Sequence, residues 1–358
     1  MKIKNVYIDN MRLFRDFNLS LIDDNSSTPH NVVLIVGENG TGKSTILKSI
    51  VSCFTVNKAE YAGEILDVND VSINDNIGKI IIDTQMNDAE IEYFGKNINS
   101  YDFFQYIVKN ENESFRANNS YSLIDKAGYH VGENNTGLQN LISSNPCDSL
   151  LVLYFDVFRI IPKTQIAGPD SAILPKSPIQ GSLASSISQK QVNERFNYVK
   201  QWLINADFRE DKLYRQKNRD SGLMAKVTDA FNILLSPYEF SRISLESKIL
   251  FKTPDNVEID IDNLSDGLKS VFSIIGEMLF RFTLPYMGQE DFDLNLIFEK
   301  EAVVLVDEID CHLHPKWQIN IIPALRRLFP NVQFIMTTHA PLIVSSVNPD
   351  EVYQLGEV

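Results

Sequence analysis

Residues Gly37-Glu38-Asn39-Gly40-Thr41-Gly42-Lys43-Ser44-Thr45 put glycines, a lysine and hydroxyls in an order suited to gripping a phosphate chain. Glycine lets the backbone curl so that several N–H groups face one anion, a path that a Cβ would obstruct. Lys43 adds a point charge for β- and γ-phosphates, and the Ser44 hydroxyl is a ligand type for Mg²⁺. The flanks agree with this chemistry. Val32 to Val36 is an apolar run of strand type, and Ile46 to Val51 reads as helix. A helix beginning there turns its positive end toward the same anion. Strand, glycine-rich turn ending in Gly-Lys-Ser, and helix together form a P-loop. A nucleoside triphosphate with Mg²⁺ is therefore expected at Gly37, Asn39, Gly40, Gly42, Lys43, Ser44 and Thr45.

Two further strand ends carry polar residues. Ala302 to Val306 is apolar and runs into Asp307 and Glu308. Acids at the tip of a strand in an α/β sheet project into the crevice where ligands bind. Asp307 is expected to complete the Mg²⁺ shell with Ser44, and Glu308 to orient and deprotonate the attacking water. Asn331 to Thr338 is another strand and ends at His339, which can donate to a γ-phosphate from a neighbouring tip. Glu308, His339 and Lys43 are thus the expected catalytic residues. Ser265 stands where it can cap a helix with Leu268, Val271, Phe272, Ile275 and Leu279 on one face. Cys311-His312-Leu313-His314 holds zinc-ligand types, yet adjacent residues seldom converge on one ion. It reads instead as a loop beside the carboxylates, before a helix that opens at Pro315 and carries Ile319, Ile322, Leu325 and Phe329.

The elements that must position these groups divide the chain unevenly. Its 358 residues, 44% hydrophobic and 22% charged, suffice for a large core with an insertion. Residues 2–9 and 12–22 read as a hairpin, an antiparallel edge beside a mainly parallel sheet. From 57 to 146 the chain is rich in Asn, Asp and Tyr, with strand-like runs at 79–84 and 89–94. Aromatics there (Tyr101, Phe103, Phe104, Tyr106) read as satellite core rather than base-stacking platforms. Leu150 to Phe155 is another buried strand. Prolines and glycines across 161–190 mark a flexible loop. Two helical patterns follow, one with Phe196, Val199, Trp202 and Leu203, the other with Leu223, Val227, Ala230, Phe231 and Leu234. Short strands at 240–245, 248–252 and 257–261 lead to Ser265. Expected boundaries are a head of 1–56 and 257–358 and an inserted α+β and helical lobe of 57–256. No apolar run reaches membrane-spanning length and no signal peptide opens the chain, so a cytoplasmic protein with no membrane association is expected. Cys53, Cys147 and Cys311 lack disulfide spacing and fit reduced thiols. A net charge of −14 argues against a dominant basic surface, while leaving a local nucleic-acid groove open.

In this order, Gly37–Thr45, Leu264–Ser270, Val303–Glu308 and Thr338-His339 resemble the Walker A, signature, Walker B and switch-histidine motifs of ABC-type ATPases. The Leu-Ser-Asp-Gly signature resembles the SMC, RecF and OLD branch. More closely, 307–318, 329–331 and 337–339 are similar to a bacterial group of ATP-binding proteins that includes the ATPase of Septu antiphage systems and of related retron systems. The likeness is dense over 31–50 and 262–347 and weak over 57–260, and neither Gln85 nor Gln165 stands in a convincing Q-loop context. It implies a P-loop head of α/β class that binds and hydrolyses ATP with Mg²⁺. It also implies a head-to-tail homodimer, or an oligomer of such dimers, in which Ser265 and Gly267 of one subunit contact the γ-phosphate held at Lys43 of the other. The nucleotide state would gate a separate effector such as an HNH nuclease or a retron component. Alternatives are a RecF- or SMC-like repair ATPase that clamps DNA, and a regulatory protein that binds ATP without hydrolysing it.

Overall fold

In a computed structural model the described residues are 1–54, 66, 70–72, 77–85, 87, 98–111, 114–125, 130–131, 151–157, 163, 165–172, 174, 189–217, 222–287, 289 and 293–356; within 98–131, at 189–195 and at 217, the backbone alone is described. The first half of the chain runs β1 (Lys2–Asp9), β2 (Phe17–Ser20), β3 (Val32–Val36), α1 (Lys43–Phe54), β4 (Ile77–Gln85), β5 (Ile98–Glu111), β6 (Ser114–Asp125), β7 (His130–Val131) and β8 (Val152–Phe155). The lobe that follows holds α2 (Gln189–Lys217), α3 (Leu223–Leu235), β9 (Glu239–Ile243), β10 (Ile249–Lys252), β11 (Glu258–Asp260), α4 (Asp266–Thr283) and α5 (Asn295–Phe298). The chain then closes with β12 (Val303–Val306), α6 (Pro315–Leu328), β13 (Gln333–Thr338), α7 (Pro341–Val344) and β14 (Val352–Gln354).

Among the described residues the strands form three sheets. Five run in the order β14-β3-β13-β12-β8, every neighbouring pair parallel. Parallel sheets lie buried on both faces, so their strands are apolar throughout rather than alternating. Here Val32, Leu34, Leu153, Phe155, Val304, Val306, Phe334 and Met336 point into one core. Val33, Ile35, Val152, Tyr154, Val303, Leu305 and Ile335 point into another. The second core is closed by α1, which lies between this sheet and a six-stranded antiparallel one, β2-β1-β4-β5-β6-β7. The first core is closed by α2, α3, α4 and α6, with the three-stranded sheet β11-β10-β9 packed on α3.

The α/β class and the P-loop strand in a parallel sheet agree with expectation, but the N-terminal hairpin is placed differently. It does not edge the parallel sheet, because its buried Ile3, Val6 and Ile8 pack into the second core over α1, and β1 pairs instead with β4. The strand expected at 79–84 is β4, whose partner is β5. The run at 89–94 and most of 161–190 lie outside the described residues. The span 57–256, expected as an inserted lobe, also contributes β8 to the parallel sheet and β4–β7 to the antiparallel one. Tyr101, Phe103, Phe104 and Tyr106 lie on β5, where only the backbone is described.

Helix α4 is the spine of the lobe. Its side chains from Gly267 to Thr283 are buried almost without interruption, apart from a partly exposed Ser273. Phe272 stacks on Phe231 of α3 with centroids 4.8 Å apart and meets Phe196 of α2 edge-on at 5.9 Å. A Cβ on Gly276 would come within 2.4 Å of Val199 on α2, so the missing side chain sets how closely these helices approach. On α6, Ile322 and Leu325 are buried as the pattern requires, as is Phe329 at its C-cap, whereas Ile319 is 46% exposed. Burial pushes the Cys53 pKa well up, keeping the thiol neutral.

One buried side chain ties two of the sheets together. Gln333, at the start of β13, accepts from Ile3 N at 2.7 Å and donates to Ile3 O at 2.8 Å and His30 O at 3.1 Å. Gln333→Leu keeps the bulk but leaves three backbone groups without that partner. It should cost about 2–4 kcal/mol of stability, read as a lower urea midpoint with unchanged slope.

Candidate nucleotide and catalytic site

The C-terminal tips of β3, β13 and β12 lie side by side, and every functional group expected at a strand end is carried there. Because β13 lies between the other two, the β3 and β12 tips are two strand spacings apart, roughly 10 Å. After β3 the chain makes the P-loop turn. Gly40 and Gly42 take φ of 87° and 94°, the left-handed region where a side chain strains the backbone. Gly42 is also hemmed in by space, since a Cβ there would lie 2.6 Å from the Phe14 ring. Lys43 Nζ, buried, donates to the carbonyls of Gly37 and Glu38 at 2.7 Å each. The ammonium is thus held inside the loop by oxygens that an anion can replace. The loop crest, Glu38 to Gly40, is exposed. Arg12, between β1 and β2, donates Nη1 to Thr45 Oγ1 at 3.3 Å and Nε to Asp70 at 2.5 Å.

Past β12 the chain reverses tightly. Asp307 is buried and Glu308 half-buried, and Glu308 has a φ of 46°, left-handed for a residue with a side chain. Thr337, fully buried on β13, donates its hydroxyl to Asp307 Oδ1 at 2.5 Å and accepts from Glu308 N at 2.7 Å. The next residue, Thr338, donates to Asp310. The other oxygen of Asp310 faces Nδ1 of His339 at 3.7 Å, and His339 is 54% exposed at the tip. A carboxylate, a serine hydroxyl and no soft ligand make an oxygen-rich donor set of the kind that suits Mg²⁺ rather than zinc, so Ser44 and Asp307 fit that ion by chemistry.

Ser265 caps α4, its Oγ accepting from Leu268 N at 3.4 Å, and it is exposed together with Asp266. Gly267 is buried against the turn that follows the carboxylates, where a Cβ would lie 2.2 Å from the His312 carbonyl oxygen. His314, from the segment weighed for zinc, caps α6 by accepting from Lys316 N at 3.3 Å. Gln85 ends β4 opposite Lys2, and Asn87 just beyond bonds Glu301 ahead of β12, so Gln85 lies at the far end of the strands from the P-loop. Gln165 instead lines a polar cavity of about 850 Å³ beside Lys200 and Asn263. The sequence reading missed Arg12, Asp310, Thr337 and Phe14. For the threonines a signal existed, since hydroxyls inside a fully apolar strand need partners.

Parallel strand tips with a P-loop on one, paired acids on another and a histidine between them, joined to a lobe led by a capped Ser-Asp-Gly helix, give the chain the fold of SMC heads, an ABC-type ATPase fold. The SMC head solved with the C-terminal winged-helix domain of ScpA superposes with a TM-score of 0.52 at 14% identity, over 98% of this chain and 96% of that one. The extended-coiled-coil SMC head from Pyrococcus furiosus gives 0.54 at 12% identity, over 98% and 94%. The chain belongs to the AAA ATPase domain family AAA_15, whose model matches residues 1–344. It is 24% identical to the retron Vc95 probable ATPase of Vibrio cholerae serotype O1 biovar El Tor, over 93% of this chain and 70% of that protein. It is 25% identical to the Septu protein PtuA of Bacillus thuringiensis, over 90% and 69%. No helix among the described residues is long and apolar enough to cross a membrane.

The close approach at Gly267 has a measurable consequence. Gly267→Ala pushes a methyl group into backbone rather than into a flexible side chain. It should cost roughly 1–3 kcal/mol, seen as a fall of several degrees in the thermal midpoint of the nucleotide-free protein.

Proposed function

We propose that this chain is a Mg²⁺-dependent ATPase whose bound nucleotide joins two copies head to tail and thereby gates a separate effector, in the manner of an antiphage defence module. The observation that carries the reading is the convergence of Lys43, Asp307, Glu308 and His339 at the C-terminal edge of one buried parallel sheet. Lys43 exchanges its two carbonyl partners for β- and γ-phosphate oxygens. Ser44 and Asp307 would hold the Mg²⁺ ion, which would supply positive charge against the phosphates. Glu308 takes a proton from the water that attacks the γ-phosphorus, and His339 donates a hydrogen bond to a γ-phosphate oxygen. The exposed Ser265 and Asp266 at the head of α4, a helix of 18 residues, support a second anion contact reaching toward the P-loop of another copy.

Kinship with a retron ATPase and with Septu PtuA supports the defence setting and a partner protein. An HNH-type nuclease or another retron component encoded beside the gene would be the gated effector, and the site on this chain supplies the switch. Head 1–56 and 257–358 would carry the chemistry, and the span 57–256 would carry the contact with that partner.

Fluorescent ATP-analogue binding, phosphate release and chromatography with light scattering test the reading together. Lys43→Ala should lose nucleotide binding by about two orders of magnitude. Glu308→Gln should bind ATP normally, release phosphate at least about 100-fold more slowly, and accumulate as an ATP-dependent dimer. Phosphate release by Glu308→Gln at the wild-type rate, or a monomer under saturating ATP, would overturn it.

A further inference from the structure

We propose that Thr337 is the positioning residue that holds Glu308 in its working orientation and couples it to Asp307. The inference rests on the ATPase reading above and concerns a side chain that takes no part in the chemistry itself. Glu308 lies at φ 46°, a conformation that costs an ordinary residue free energy and persists only where surrounding bonds enforce it. Thr337 supplies that enforcement twice. Its hydroxyl accepts from Glu308 N at 2.7 Å, and its backbone carbonyl accepts from Ile309 N at 3.0 Å. The reversed peptide on both sides of Glu308 is therefore bonded to one residue of the neighbouring strand.

The hydroxyl also has a fixed polarity. It has a single proton, and with the Glu308 amide occupying one lone pair that proton points at Asp307 Oδ1, 2.5 Å away. One carboxylate oxygen of Asp307 is thereby engaged from the strand side. Valine has nearly the shape of threonine but supplies neither bond. Cysteine has the connectivity of serine and somewhat more bulk, but its thiol is a poor donor and acceptor. A role in packing alone and a role through the hydroxyl therefore predict different rankings among Thr337→Ser, Thr337→Cys and Thr337→Val.

The test measures steady-state phosphate release and ATP-analogue affinity on the full chain, beside Glu308→Gln. Thr337→Ser should keep kcat within about threefold of wild type, whereas Thr337→Cys and Thr337→Val should lower it at least about tenfold with KM changed less than about threefold. In the Glu308→Gln background Thr337→Val should remove little more, since both changes act on one step. Equal activity of the serine and cysteine variants, or a further tenfold loss in the double variant, would overturn the proposal. Should Thr337→Val fail to fold, the serine–cysteine pair decides alone. If Glu308→Gln abolishes turnover while Thr337→Cys matches wild type, only the role of Thr337 falls. If Glu308→Gln turns over normally, the assignment of the base falls first.

Discussion

A parallel sheet covered on both faces is the constraint on which the rest of this molecule depends. Its strands can carry almost nothing polar along their length, because α1 and the antiparallel sheet close one side and the α2–α3–α4–α6 layer closes the other. An ionisable group buried there without a partner would be costly, so chemistry is confined to the strand ends. Only at the C-terminal tips do backbone N–H groups, helix α1 and solvent meet. That explains why a lysine, two acids and a histidine far apart in the sequence arrive at one edge. It also explains why that edge, rather than a cavity in the helical lobe, gathers the candidate site residues.

Several of the polar groups that do enter the interior enter as bonded pairs. Thr337 and Thr338 are adjacent on β13, so their side chains leave on opposite faces of the sheet. They reach Asp307 on one side and Asp310 on the other. Arg281 and Glu277, one turn apart on α4 and fully enclosed, bond at 2.9 Å. Enclosing such a pair rarely adds net stability, but deleting either member leaves a charge stranded. Gln333 does for the backbone what the threonines do for the acids, bonding Ile3 on a different sheet and the carbonyl of His30.

How far the sequence could be read follows from the range of the interactions involved. The P-loop was legible because its glycines, its lysine and both flanks are contiguous, and local sterics decide them. The apolar runs of β3, β12 and β13 and the buried face of α4 were legible for the same reason. What lay hidden is non-local. Nothing near Ile3 or Tyr7 says that β1 will choose β4, a strand more than seventy residues further along the chain. Arg12 lies in a turn without a pattern, and its meeting with Thr45 exists only once the hairpin folds over α1. Ile319 followed the helical period yet faces solvent, because α6 is covered along a narrower stripe than its apolar residues span.

The contact at Gly267 bears on how this protein can change shape. The first turn of α4 and the turn after Asp307 touch backbone to backbone, with no side chain between them to flex or change rotamer. Sliding one past the other would require a gap or a collision, and a close-packed interior tolerates neither. Ser265 and the paired acids are therefore fixed to a single rigid body, though they belong to different elements of the chain. A hinge between lobe and head cannot run through that seam. Any swivel of α4 would carry the acids with it or break this contact.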